Sequence, residues 1–287
     1  YKNINGDKVK FKAVTNGIDL KTWVLPETLR SFEQKEIIDK FGLPAEKYKA
    51  NILKISAAEI RELRKLGRAK LNEILKTRKD QYGRVVQIPE DAILFDFKRR
   101  FVDYKRPWMP FEDVSKLKRI LQESGAHYIL AGKVHQGDIR MRATLNAVLS
   151  KIDSDDFLRE RIHFIQDYDE QLGFALAVGS DVAINVPIVG LEACGTSFMK
   201  DLANLKLLIS TADGGVADIS PTPCLEVSGV NYEQEVLALY VQMWRAIRIL
   251  KDDALLEKQI QHQLRAYLPV VSGARMMKDY LDLIFGK

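Results

Sequence analysis

The stretch Ala92-Ile93-Leu94-Phe95-Asp96-Phe97, followed at once by Lys98-Arg99-Arg100, decides the fold of this chain. A short, nearly continuous apolar run that ends on cations reads as a strand buried on both faces. Runs of the same kind recur at Tyr128–Ala131, Arg161–Gln166, Asp181–Val186 and Lys206–Ser210. Helical spacing fills the intervals, at Val114–Glu123, Ile139–Ile152, Glu170–Val178 and Phe198–Asn204. Strands alternating with helices of roughly 7 to 14 residues imply an α/β fold, a doubly wound parallel sheet covered on both faces.

In such a Rossmann-like sheet, ligands bind beyond the carboxyl ends of the strands. Arg99-Arg100 follows the first strand, Gly132-Lys133 the second, and the segment Glu192 to Lys200 the fourth. Residues 1 to about 55 read as irregular with short helices. Phe32 to Phe41 has helical spacing, punctuated by Pro26 and Pro44. Ser56-Ala57-Ala58-Glu59 is a capping box, Ser accepting from a backbone N–H and Glu reaching back. The helix after it has apolar positions Ile60, Leu63, Leu66, Leu71, Ile74 and Leu75, and Gly83-Arg84 marks a loop. The tail from Glu233 to Phe285 reads as three helices. Val236, Leu237, Leu239, Tyr240, Met243, Trp244, Ile247 and Leu250 form a wide apolar stripe, expected to pack on the sheet or on a partner domain.

With 287 residues, 46% of them hydrophobic, the chain can build one large domain or two small ones. Its net charge is +5, with acids and bases interleaved. A local excess of cations fits an anionic ligand. The absence of a basic stripe with interleaved aromatics argues against nucleic acid. Cys194 and Cys224 form neither a metal spacing nor a disulfide framework, and His127, His135, His163 and His262 are scattered. A reducing cytoplasm is the expected setting. No apolar run approaches the roughly 20 residues of a membrane span, and no signal peptide is visible. Beginning at Tyr1 rather than Met, the chain is expected to be a fragment, or a processed or trimmed product.

The segment Glu192-Ala193-Cys194-Gly195-Thr196-Ser197-Phe198-Met199-Lys200 carries the chemistry. It places a carboxylate, a small-residue turn rich in backbone N–H groups, and one lysine at a helix start. Together these suit an anion, a polar ligand and a covalently held aldehyde cofactor. A lysine in that role must be held near the aldehyde and be able to lose its proton. Read singly, Lys200 is a surface lysine, Thr196 or Ser197 a plain helix cap, and Glu192 a loop carboxylate. No Walker or dinucleotide fingerprint surrounds Lys133.

This segment resembles the pyridoxal-phosphate segment of the α-glucan (glycogen and maltodextrin) phosphorylases. In that family the pattern Glu-Ala-Ser-Gly-Thr-x-x-Met-Lys ends on the residue that carries the cofactor. Cys194 stands where the family usually has Ser. Asn204 and Asp213-Gly214 fall at the family's downstream spacings. Arg99-Arg100-Phe101-Val102-Asp103-Tyr104-Lys105-Arg106 resembles its basic segment ending in Tyr-Lys-Arg, and Ala131-Gly132-Lys133 its Gly-Gly-Lys. Phe164-Ile165-Gln166-Asp167-Tyr168 resembles its Phe-Leu-Glu-Asn-Tyr, and Thr15-Asn16-Gly17-Ile18 with Trp23 its Thr-Asn-Gly-Ile/Val and following Trp. The matches keep one order along nearly the whole chain, most firmly from about Ile93 to Asp213.

The resemblance implies a set of roles. Lys200 would carry pyridoxal 5′-phosphate, whose phosphate rather than ring meets the substrate phosphate and acts in proton transfer. Thr196 and the backbone of Ser197 would hold the cofactor phosphate, with Arg99 and Lys105 beside it and Tyr168 near the cofactor. Arg100 would sit nearer the substrate phosphate. Glu192 would bind a glucosyl hydroxyl, with Cys194 and Gly195 backbone groups beside it and Tyr104 nearby. Arg100, Lys105 and Glu192 would thus be the catalytic set. Val102 replaces a His that binds sugar in animal enzymes, and Asp169 replaces an Arg, so those contacts are lost or replaced. Asn204-Leu205-Lys206 departs from the family's frequent Asn-Gly.

The family has two facing Rossmann-like domains, a GT-B-type fold, with the active site between them. By resemblance, residues 1–55 are a remnant or linker of the N-terminal domain, and 56–287 are the cofactor-binding domain with its C-terminal helices. The expected activity is phosphorolysis of an α-1,4-glucan to α-glucose 1-phosphate. A second polypeptide is expected to supply the N-terminal domain, unless the chain is a fragment. The alternatives are a retaining transferase using a nucleotide sugar, with Lys200 unmodified, and a non-catalytic glucan-binding subunit.

Overall fold

The apolar runs pair side by side. A computed structural model describes residues 12–219 and 221–286. Ahead of the sheet lie helices α1 (Leu20–Trp23), α2 (Pro26–Gln34), α3 (Tyr48–Asn51) and α4 (Ala57–Leu75). Then come β1 (Leu94–Lys98), α5 (Val114–Ser124), β2 (His127–Ala131), α6 (Ile139–Asp153), α7 (Asp156–Arg161), β3 (Ile162–Ile165) and α8 (Glu170–Gly179). β4 (Val182–Asn185), α9 (Ser197–Ala203), β5 (Leu207–Ser210) and β6 (Leu225–Glu226) complete the sheet, followed by α10 (Tyr232–Lys251), α11 (Asp253–Val271) and α12 (Gly273–Phe285).

The strand order is β3-β2-β1-β4-β5-β6, and every neighbouring pair is parallel. Phe95 lies between Tyr128 and Val182, which fixes the register at the centre. Every residue of β1 to β5 is buried, as expected for strands covered on both faces. The order reverses between β1 and β4. That reversal is the topological switch point of a doubly wound sheet, where a crevice opens beyond the strand ends.

After Glu170 and Gln171, helix α8 is apolar on every side because it is covered twice, by the sheet and by α4. The two helices approach so closely that a Cβ at Gly67 would stand 2.0 Å from the Val178 carbonyl oxygen. Residues 12–55 join the same core through Ile18, Leu20, Val24, Phe32 and Ile52. Ile18 N donates to the Val271 carbonyl at 2.7 Å, and Arg275 Nη2 donates to the Asn16 carbonyl at 2.8 Å. The segment carrying Asn16 is therefore bound to α11 and α12, at the far end of the described chain.

Several local expectations change. Pro26 opens α2 at its first turn, where its missing N–H costs nothing, and the helix stops at Gln34 because Glu36 turns left-handed (φ +53). The Ser56 hydroxyl does accept from Glu59 N at 3.3 Å, but the Glu59 carboxylate turns away to Ser31 Oγ and Lys35 Nζ. Leu66, Leu237 and Trp244 are not core: their sides of α4 and α10 face outward. β6 and α7 are additions to the expected set. Among the described residues, no helix is long and apolar enough to cross a membrane, and no group of three or more His, Cys, Asp or Glu could hold a metal.

Candidate active site

A cavity of about 580 Å³ opens beyond the carboxyl ends of β1 and β4. Arg99, Arg100, Tyr104, Lys105, Tyr168, Glu192, Cys194, Gly195, Thr196, Ser197 and Lys200 all line it, together with Asn16, Trp23 and Lys98. The sequence motifs, dispersed over the chain, thus converge on one site at the switch point.

The end of β1 delivers the cations. Arg99 is buried and Arg100, next in line, is exposed, so the pair splits between the wall and the mouth. The Arg99 guanidinium meets Glu192 at 2.7 Å and also binds the Asn185 side chain at the end of β4. Gly132 explains the Ala131-Gly132-Lys133 motif: a Cβ there would stand 2.1 Å from the Arg99 carbonyl oxygen. A short turn, Asp103–Lys105, then brings Lys105 back into the site, 3.7 Å from Glu192. Arg106 closes the turn in the left-handed region (φ +49). It clamps it by donating to the Val186 and Pro187 carbonyls and pairing with Glu235.

The turn 192–196 is held from below. Asp213 accepts from Glu192 N at 2.8 Å, and Gly214 (φ +51) fits beneath the Glu192 and Ala193 carbonyls. From the front, Asn16 Nδ2 donates to the Cys194 carbonyl at 2.7 Å. The Cys194 sulfur faces Gly215, and burial pushes the thiol up. Gly195 is the tight point: a Cβ there would stand 2.7 Å from Arg99 Nη2 and 3.0 Å from Glu192 Oε1. Thr196 sits at the N-cap of α9 but its side chain makes no capping bond, which leaves its hydroxyl uncommitted to the helix.

Lys200 lies one turn into α9, half-buried, with Nζ 2.9 Å from the centre of the Trp23 ring. Burial, and next the positive charge of Lys98, lower its pKa to about 8. Lys105 is lowered to about 8 as well, by burial and then by Arg99. Burial raises the Tyr104 and Tyr168 phenols. An amine with such a pKa is partly neutral near pH 7 and can attack a carbonyl. Lys98 being paired below the cavity with Asp201, the lining still holds Arg99, Arg100, Lys105 and Lys200 against the single carboxylate of Glu192, a surplus that suits phosphate groups.

Asp169 serves the fold instead. It caps α8 by accepting from Leu172 N and pairs with Arg78 at 2.6 Å. Sequence reasoning missed Lys98, read as following its strand; in fact it is the last residue of β1 and is buried. A larger cavity, about 790 Å³, lies at the opposite, amino ends of β1 and β4. There Arg64 and Arg68 share the one carboxylate of Asp181, Arg61 pairs with Asp253 and Lys65 lies 3.6 Å from Glu90, so most of its cations are engaged in ion pairs.

Residues 3–273 match the model of a family described as carbohydrate phosphorylase. Similar proteins include a glycogen phosphorylase of Aquifex aeolicus, 28% identical, aligned over 96% of this chain and 44% of its own length. A glycogen phosphorylase of Mycobacterium bovis is also 28% identical, over 96% of this chain and 35% of its own. A maltodextrin phosphorylase of Thermococcus litoralis is 26% identical, over 98% and 36%. The chain spans less than half the length of these relatives.

Proposed function

Because this chain belongs to the carbohydrate phosphorylase family, we propose that it is the cofactor-bearing half of an α-1,4-glucan phosphorylase, which releases α-glucose 1-phosphate from glucan and phosphate. The observation that carries this reading is the meeting of Lys200, its pKa lowered to about 8, with Arg99, Arg100 and Lys105 around one cavity. Those residues fit pyridoxal 5′-phosphate. An amine that loses its proton near neutral pH suits an aldehyde, and the uncommitted Thr196 hydroxyl and the cations suit a phosphate.

When bound, the cofactor supplies a phosphate that faces the substrate phosphate and takes part in proton transfer. The chain's own residues do the rest. Lys200 holds the cofactor, with Tyr168 beside it. Thr196, Ser197, Arg99 and Lys105 hold its phosphate. Arg100, at the exposed mouth, takes the substrate phosphate. Two dianions repel strongly at close range, and this row of cations offsets that repulsion. Glu192, with the Cys194 and Gly195 backbone and Tyr104, orients the glucosyl unit.

Phosphorolysis must keep water from capturing the glucosyl unit. The site's rim is open, and Ile188, Val189 and Leu191 are exposed beside Glu192. A facing Rossmann-like domain on a separate polypeptide would cover that rim and complete the glucan site. The test measures glucose 1-phosphate released from maltodextrin by this chain with pyridoxal phosphate, alone and with a polypeptide resembling the relatives' N-terminal half. Activity is expected only in the mixture. Failure of pyridoxal phosphate to attach at Lys200, with no product in either sample, overturns the reading.

A further inference from the structure

Beneath the cavity lies a set of charges with no role in the proposed reaction. Asp96 and Lys98 of β1, Asp201 of α9 and Lys206 just before β5 are all at least 95% buried. Lys206 Nζ is 3.0 Å from Asp96 and 2.8 Å from Asp201; Lys98 pairs with Asp201 and lies 3.4 Å from Asp96. Ser180 Oγ donates to Asp96 at 2.9 Å, and Lys206 also donates to the Leu176 carbonyl at 3.2 Å. Two ammonium groups thus face two carboxylates. Burial alone would push Asp201 up, but Lys206 and Lys98 together hold it down; burial would push Lys98 down, but Asp201 and Asp96 hold it up.

Burying four charges costs more than burying apolar side chains of the same volume, so stability is a poor reason for the arrangement. Position is a better one. Asp201 is the residue after Lys200, and α9 is only seven residues long, too short to hold itself in place. Lys98 also lines the cavity that holds Lys200.

We propose that Lys98 is a positioning residue for Lys200: its ammonium pins α9 through Asp201 and sets a fixed positive charge under the Lys200 amine. The proposal takes Lys200 as the cofactor lysine, so it rests on the reading above. The charged groups that act on Lys200 are Lys98 from β1, Glu170 from α8 and Asp201 from its own helix; the Trp23 ring of α1 forms the neutral wall. Lys98 favours the neutral amine, while Glu170 and Asp201 favour the charged one.

The experiment uses the whole chain without cofactor. Acetic anhydride labels the lysines across a pH series, and mass spectrometry gives the labelling midpoint of Lys200; hydrogen exchange reports on α9. Lys98→Met leaves one buried carboxylate in excess, so Lys98→Met/Asp201→Asn, which keeps the charges balanced, is the second variant. Lys98→Met is expected to raise the midpoint by about half a unit, slowing labelling near pH 7 roughly threefold. Both variants are expected to speed amide exchange across Ser197–Ala203 at least about tenfold, as loss of a local anchor of ~1.4 kcal/mol requires. A folded double variant with unchanged exchange in α9 overturns the proposal, as does a folded Lys98→Met with an unmoved midpoint. Pyridoxal phosphate attachment is scored separately. If these shifts occur but the cofactor does not attach to the wild type, the cofactor reading fails and the positioning stands. If the cofactor attaches and nothing shifts, the reverse holds.

Discussion

The Arg99 guanidinium lies 2.7 Å from the Glu192 carboxylate, and both side chains are more than 90% buried. Glu192 therefore acts as an internal counter-ion that an incoming phosphate must displace or share. Glu192→Gln should lower the melting temperature in phosphate-free buffer, since breaking a buried pair costs up to about 3–5 kcal/mol. Added phosphate should then stabilise the variant more than the wild type. Thermal melts with and without phosphate check this; equal phosphate shifts in the two proteins would show that Glu192 does not compete for Arg99.

Lys200→Ala should abolish covalent attachment of pyridoxal phosphate while leaving the fold intact, because the side chain is half-exposed and its close contact is only with the face of the Trp23 ring. In the wild type, the lowered pKa fixes the sign of the pH dependence: the neutral amine is the reactive form and accumulates as pH rises. Attachment should therefore quicken about tenfold per pH unit below about 8 and level off above it. Borohydride trapping followed by mass measurement reads both. A label on another residue, or a flat pH profile, would reject Lys200.

Arg100 is exposed at the mouth of the cavity, so its loss should not unfold the protein. Arg100→Ala should weaken phosphate and glucose 1-phosphate more than glucan. Loss of a charge-assisted hydrogen bond worth about 1.5–3 kcal/mol corresponds to roughly a ten- to hundred-fold weaker phosphate constant. An unchanged constant in the reconstituted enzyme removes Arg100 from the site.

Gly195→Ala tests the tightest contact. The added Cβ would press into Arg99 Nη2 and Glu192 Oε1 from 2.7 and 3.0 Å, forcing the ion pair apart. Overpacking of this kind costs about 1–3 kcal/mol. A lower melting temperature together with weaker phosphate binding is expected, by calorimetry; a variant equal to the wild type in both would mean that the turn relaxes freely.

The sheet was legible because strands buried on both faces leave continuous apolar runs, and helices of similar length lie between them. β6 left no such run, being only two residues, Leu225–Glu226. The strand expected to begin at Lys206 begins at Leu207, because the Lys206 N–H still donates to the Asp201 carbonyl of α9 and Leu207 is the first residue paired with β4. Leu205, where the family often has Gly, adopts φ +60, a conformation Gly enters without strain and Leu does not; nothing in the structure explains the Leu. Groups at strand ends, such as Arg99 and Glu192, could be brought together from topology alone. The contact of Lys200 with Trp23, and the bond from Asn16 to Cys194, depend on how a distant segment docks, and local spacing carries no record of that.

That docking has a consequence for biosynthesis. Asn16 accepts from Arg275, 259 positions further along the chain. At about 5–20 residues per second, the partner of Asn16 leaves the ribosome on the order of 10–50 s after Asn16 itself. β5, by contrast, ends at Ser210, so the central strands are all made well before α11 and α12 emerge. During that interval the segment around Asn16 and Ile18 lacks the Val271 and Arg275 groups that hold it, although Asn204, made earlier, already offers its side chain to Leu25 N and to the Trp23 carbonyl. A chain stalled before α11 would therefore lack the two bonds that seat Asn16 and Ile18, and with them the support behind the Asn16 bond to the Cys194 carbonyl.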